Sequence, residues 1–173
     1  MKIVYRPYAD ADAWEFADAV TSSLDTLRPW LLWAHEGFSE ADARQWFAAT
    51  HLLRDKGAAN ELGLFAEDGR LLGGAGLRYS SVDHDHCSIG YWVRSSEQGQ
   101  GIATQAVRYL VDMAWQSPER ETVEILAVED NAASRRVAVK CGADFIGIQH
   151  GLIVLDSGPV NTAVYHFRRL QKR

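Results

Sequence analysis

Ser88-Ile89-Gly90-Tyr91-Trp92-Val93-Arg94 runs through Ser95-Ser96-Glu97 into Gln98-Gly99-Gln100-Gly101-Ile102-Ala103-Thr104, and this stretch decides the fold. Its first half carries the β-branched and aromatic residues of a strand, and its middle is a glycine-rich turn. From Ala103 the apolar residues Ala103, Ala106, Val107, Leu110, Val111 and Ala114 recur at spacings of three and four, which predicts a helix. A strand therefore delivers two glycines to a helix N-terminus. The first N–H groups of a helix lack internal partners and the helix dipole adds partial positive charge, so such a turn suits a phosphate or pyrophosphate. Glycine at 99 and 101 lets the backbone approach oxygen atoms with no Cβ in the way, although packing alone also places glycines before helices.

Downstream, residues 121–128 (ETVEILAV) read as a buried strand, 131–141 as a short helix ended by Gly142, and 145–155 and 162–170 as two closing strands. Upstream, residues 2–7 read as a short strand. Asp12 with Glu15 gives a capping-box pattern opening one helix, and Ser39 with Asp42 opens a second. Between them Leu27-Arg28-Pro29-Trp30-Leu31-Leu32-Trp33 is too apolar for a plain solvent loop. Residues 61–67 and 70–79 flank Asp68-Gly69, a strong turn signal, and predict an antiparallel hairpin followed by a third strand at 86–94. The order implies a mixed α/β (α+β) sheet: antiparallel strands first, then strand-helix-strand-helix-strand.

The 173 residues suit a single domain, 1–173, and at that size folding buries roughly 70% of the unfolded surface. A formal net charge of −5 argues against broad electrostatic binding of nucleic acid, which needs a basic surface. Arg168, Arg169, Lys172 and Arg173 read as a solvated tail. Two separated cysteines, Cys87 and Cys141, make no disulfide framework and fit a reducing compartment. No run approaches the ~20 apolar residues that span a bilayer, and the acidic start lacks a leader's apolar stretch. The expectation is a soluble cytoplasmic protein, off the membrane, monomer or homodimer.

The Gln-x-x-Gly-x-Ala pattern of Gln98, Gly101 and Ala103, preceded by Ile89-Gly90-Tyr91-Trp92-Val93, resembles the coenzyme A signature of the GNAT superfamily of N-acetyltransferases. Asn131-Ala132-Ala133-Ser134 resembles that superfamily's Asn-x-x-Ser, and Leu27-Arg28-Pro29-Trp30-Leu31 resembles a segment of its RimJ/RimL branch. The resemblance implies a GNAT-like fold in which antiparallel N-terminal strands precede a splayed parallel pair, here residues 88–93 and 122–128, flanked by helices. It implies acetyl-CoA as cosubstrate, a primary amine as acceptor and no metal. The backbone of Gln98, Gly99, Gln100, Gly101, Ile102, Ala103 and Thr104 would take the pyrophosphate. Trp92 and Val93 would serve the pantetheine and the thioester oxygen. Asn131 would bind pantetheine, and Ser134 would lie near the sulfur as a hydrogen bond or relay to the leaving thiolate. Helix capping is the competing reading for both. Trp30 and Trp33 would wall the acceptor groove.

The general base departs from the pattern. Many members of the family it resembles carry a glutamate two residues before the Gly-Tyr-Trp, and this chain has Ser88. His86, Asp85, Glu124 and Glu129 remain as candidates, none fixed by spacing. Without a base, the acceptor's own amine would govern the pH profile. An N-terminal amine, with a pKa of roughly 8, is already about a tenth neutral near pH 7, whereas lysine near 10.4 is far less so. An α-amine, or a small-molecule amine of lowered pKa, is therefore a better-matched acceptor than a lysine side chain.

Asp83-His84-Asp85-His86-Cys87 concentrates metal-ligand types, with His84 and His86 expected on one side of a strand, but it has no familiar zinc spacing. Trp14, Trp46 and Trp115 sit at helical spacings expected of core residues. Two other functions stay open. A dinucleotide-binding domain would use Gly99-x-Gly101-x-x-Thr104, yet the acid at Glu129 or Asp130 comes about 30 residues on instead of ~20. A non-catalytic acyl-CoA sensor would explain Ser88.

Overall fold

The computed structural model describes residues 1–170. Its strands are β1 (Ile3–Arg6), β2 (Ala59–Ala66), β3 (Leu71–Tyr79), β4 (His86–Val93), β5 (Thr122–Val128), β6 (Asp144–Leu155) and β7 (Gly158–Arg168). The helices are α1 (Ala13–Thr21), the single turn α2 (Leu24–Leu27), α3 (Glu40–Asp55), α4 (Ile102–Trp115) and α5 (Ala132–Lys140). Strands pair in the order β1-β2-β3-β4-β5-β7-β6. The links β2–β3 and β3–β4 are too short for a crossover, so those pairs are antiparallel. β4 and β5 pair in parallel, and β7 is antiparallel to both β5 and β6. This is the mixed sheet expected from the element order.

The chain divides into two compact units: Met1–Gly76 with Tyr91–Ala103, and Leu77–Gly90 with Thr104–Arg173. In the first, Phe16, Val20, Leu27, Phe47, Phe65 and Leu71 are buried in one cluster with Tyr8 and Trp92. Tyr8 stacks on Phe47 at 4.7 Å and donates its hydroxyl to Leu62 O, and its burial pushes the phenol far above its ordinary pKa. In the second, alternate residues of β5 (Val123, Ile125, Ala127) and one face of α4 (Ala106, Val107, Leu110, Ala114) are buried, as period 2 and period 3.6 require.

Local chemistry explains the helix starts. Ser39 Oγ accepts the Asp42 N–H at 3.1 Å and the Asp42 carboxylate accepts the Ser39 N–H at 2.9 Å, the reciprocal cap expected at α3. The same expectation fails at α1. Asp12 sits in a 3-10 turn, where its carboxylate takes the Ala9 N–H at 2.8 Å and both Arg6 nitrogens at 2.8 and 2.9 Å. Glu15 instead accepts the Leu71 N–H at 2.7 Å.

Three further expectations are corrected. Trp14 is 65% exposed, because the apolar stripe of α1 runs through Ala13, Phe16, Ala17 and Val20 and leaves it one residue off the buried face. His84 lies in the turn before β4, so it does not share a strand face with His86. Arg169 is no solvated tail residue: it donates to Arg120 O, Trp115 O and Ser117 O and lies 5.0 Å over the Trp115 ring. Lys172 and Arg173 lie outside the described residues. No helix among the described residues is long and apolar enough to cross a membrane.

Candidate functional site

β4 ends at Val93, a 3-10 turn spans Ser95–Glu97, and α4 begins at Ile102. Between them Gly99 and Gly101 have φ of +78° and +76°, which other residues rarely adopt, and a Cβ at either would meet nothing within 4 Å. Gln98, Gly99, Gln100 and Gly101 are exposed, whereas Ile102 is buried. The turn is thus pinned at its inner end and open on its outer face, as an anion cradle at a helix N-terminus requires.

Side chains of the same unit brace it. Glu97 is buried, which a carboxylate tolerates only with partners. It accepts Arg70 Nε at 2.7 Å and Gln100 Nε2 at 3.1 Å, and the pairing raises the Arg70 guanidinium above its ordinary pKa. Arg94, at the end of β4, pairs with Asp18 and with Glu15 at 3.4 Å. The Ser95 N–H donates to Ser23 Oγ at 2.9 Å, and the Ser95 and Thr26 hydroxyls lie 2.6 Å apart. Arg70, Asp18, Ser23 and Thr26 did not stand out as bracing residues in the sequence, because their partners Glu97, Arg94 and Ser95 lie far away along the chain.

Trp92 is buried and meets Phe16 and Trp33 edge to face at 5.4 and 5.7 Å. Glycine is required on β3 beside it: a Cβ on Gly73 would fall 2.1 Å from Trp92 O, and one on Gly74 2.7 Å from the indole Nε1. The Gly-Gly pair inside a strand was the available signal. Trp33 remains 39% exposed against Phe16 and Phe38, and Trp30, half-buried, follows α2 with its N–H on Leu27 O.

In the second unit, Asn131 Oδ1 accepts the Ser134 N–H at 3.3 Å, so Asn131 caps α5. Ser134 is half-buried in the first turn of that helix. Thr104 is buried, and its carbonyl accepts the Cys141 thiol at 3.6 Å. Burial pushes the Cys87 thiol up to about 11, so it is no thiolate at neutral pH. Asp85 and Glu129 are engaged at their backbone carbonyls. Asp85 O accepts the Glu121 and Thr122 N–H groups, and Glu129 O accepts Arg135 Nη1.

Two of the base candidates, His86 and Glu124, come together on one sheet face. Ser88 stands opposite Glu124, and Glu124 opposite His166. Glu124 Oε2 lies 2.8 Å from His166 Nε2 and 3.7 Å from His86 Nε2. The parallel register runs from His86↔Thr122 to Ile89↔Ile125, so this row lies one residue before its last pair. His166 was missed from sequence, where a histidine in a closing strand carries no signal until strand order sets its neighbour. Among the described residues no group of three or more His, Cys, Asp or Glu is arranged to hold a metal ion.

Comparison with known proteins finds related sequences and the same fold. The ribosomal-protein-serine acetyltransferase of Escherichia coli (strain K12) is 33% identical over 116 residues, which span 67% of this chain and 64% of that protein. The microcin C7 self-immunity acetyltransferase MccE, solved with acetyl-CoA and AMP, superposes with a TM-score of 0.90 over 97% of this chain and 93% of its own, at 18% identity. The ribosomal-protein alpha-N-acetyltransferase RimL, solved with coenzyme A, gives a TM-score of 0.87 over 97% and 94% at 21% identity. Residues 2–144 match the acetyltransferase (GNAT) domain family, and the chain belongs to that family.

Proposed function

We propose that this GNAT domain transfers acetyl from acetyl-CoA to a primary amine, with an N-terminal α-amine of a protein or peptide as the best-matched acceptor. The observation that carries the reading is the open turn with left-handed Gly99 and Gly101 at the start of α4. Backbone N–H groups from Gln98 through Gly99, Gln100, Gly101, Ile102 and Ala103 to Thr104 bind the pyrophosphate there. The main chain of Trp92 and Val93 serves the pantetheine and donates to the thioester oxygen as it gains charge. Asn131, whose Oδ1 is engaged in the cap, has its amide N–H groups to offer a pantetheine carbonyl. Ser134 hydrogen-bonds the departing thiolate. Trp30 and Trp33 wall the acceptor.

The E. coli relative acts, by its name, on a ribosomal protein, and RimL is named for the same kind of acceptor. MccE was solved with acetyl-CoA bound. These similarities favour a place in the RimJ/RimL-like branch, in the cytoplasm, where acetyl-CoA and new N-termini meet. Ser88 favours one rival, an acyl-CoA sensor without turnover. Calorimetry with acetyl-CoA, joined to thiol release across peptides and small amines, separates them: binding with release supports transfer, binding without release the sensor, and no binding ends both.

A further inference from the structure

A row of polar residues crosses one face of the sheet within the second unit. Ser88, Glu124 and His166 are directly opposite on β4, β5 and β7, and His86, two residues before Ser88, shares their face. The hydrogen bonds Ser80 N–H to His86 O and Arg94 N–H to Leu72 O fix the register of β3 on β4, which puts Arg78 opposite Ser88. Its guanidinium fills the space beside Gly90, where a Cβ would come within 2.7 Å of Nη1. The groups facing His86 are therefore Arg78 from β3, Glu124 from β5 and His166 from β7. Tyr79, Cys87 and Arg120 belong to the opposite face, where Arg120 lies over the Tyr79 ring.

The three titratable groups are not equivalent. His166 is the most enclosed, with 15% of its side chain exposed against 29% for His86. Its Nδ1 is buried with no hydrogen-bond partner among the described residues. A proton there would bury an unsatisfied N–H, so the geometry favours the tautomer in which Nε2–H donates to Glu124. That bond fixes one carboxylate oxygen between two imidazoles whose rings meet nearly perpendicular at 5.9 Å. His86 reaches solvent and has the carboxylate beside it, so a proton gained by its ring is stabilised by opposite charge.

We propose that His86, Glu124 and His166 together replace the carboxylate base absent at Ser88, which rests on the acetyl-transfer reading above. As the amine nitrogen bonds to the thioester carbon and the carbon–sulfur bond breaks, the amine proton passes to His86, directly or through one water. Nδ1, the ring nitrogen farther from the carboxylate, receives it. Glu124 holds the resulting imidazolium, and the proton then returns through solvent to the thiolate. His86 is the catalytic residue. Glu124 and His166 are positioning residues that act through it.

The test is the pH dependence of kcat/KM for two acceptors of different amine pKa. Wild type should show an inflection in the imidazole range that stays put when the acceptor is changed. His86→Ala should lose that inflection and fall about 10²-fold at neutral pH, with the profile then following the acceptor amine. Glu124→Gln should move the inflection to lower pH. His166→Phe should lower kcat several-fold at unchanged KM for acetyl-CoA, and His166→Gln, which keeps a donor, should recover part of it. Histidine NMR titration reads the cluster without turnover: the His86 midpoint should fall in Glu124→Gln. Thiol release with an inflection that tracks the acceptor, or survives His86→Ala, overturns the relay and leaves acetyl transfer standing. Acetyl-CoA binding with no thiol release from any amine overturns both.

Discussion

The glycine turn of the first unit and the histidine–carboxylate row of the second are built on opposite principles. The turn is written contiguously, residues 98–104, and owes its shape to backbone freedom at Gly99 and Gly101; side chains such as Glu97 only brace it. The row owes nothing to contiguity. His86, Glu124 and His166 come from three strands and meet because register makes Glu124 and His166 opposite and sets His86, beside Thr122, on the same face. A binding cradle made of backbone can be read in sequence as a motif, whereas a proton site made of side chains across strands exists only once strand order is known.

The largest expected effect breaks the first half of that contrast. Gly101→Asp should weaken acetyl-CoA binding at least 100-fold by calorimetry, because it forces a side chain and a negative charge onto the pyrophosphate path. Left-handed strain alone costs about 1–2 kcal/mol. Gly142→Ala sharpens the comparison. Gly142 has φ +88° at the end of α5, so the substitution should lower stability by a similar amount and leave affinity unchanged. Equal losses of affinity in both would remove the cradle assignment.

Bracing should matter less. Arg70→Ala removes one partner of the buried Glu97 carboxylate and leaves it Gln100, so stability in urea unfolding should fall modestly. Acetyl-CoA affinity should fall a few-fold through a loosened turn. Smaller still is Ser134→Ala, expected to lower kcat with little change in affinity, while Asn131→Ala loses the α5 cap, worth about 1 kcal/mol. If Ser134→Ala shifts only the melting temperature, Ser134 has no part in thiolate departure.

The smallest effect lies at the α3 cap. The Ser39 N–H and hydroxyl hold the Asp42 carboxyl below its ordinary value of 3.8. A carboxyl lowered by folding stabilises above its unfolded value and loses that contribution as pH falls through the lowered one. The stability gap between wild type and Asp42→Asn should therefore be constant at neutral pH and close below about pH 4.

Legibility followed locality. The hairpin at Asp68-Gly69, the Ser39 cap and the helix after Gly101 were readable because turn geometry, capping and period 3.6 are set by near neighbours. Asp12 misled because Arg6 and the Ala9 N–H compete for the carboxylate a capping box would need. Trp14 misled because its spacing matched a helix but its angle missed the stripe. In the site, the glycine turn was legible and His86 and Glu124 were named, but their meeting was not, and His166 needed the placement of β7 between β5 and β6.

The most direct measurement of the central claim is thiol release from acetyl-CoA with a peptide bearing a free N-terminal α-amine, compared with the same peptide blocked at that amine, in wild type and Gly101→Asp. The account predicts release matched by one acetyl group on the free peptide, none on the blocked one, and loss of turnover in Gly101→Asp at acetyl-CoA concentrations that saturate wild type. Undiminished turnover in Gly101→Asp, or acetyl-CoA bound by wild type with no thiol released from any amine, would contradict it.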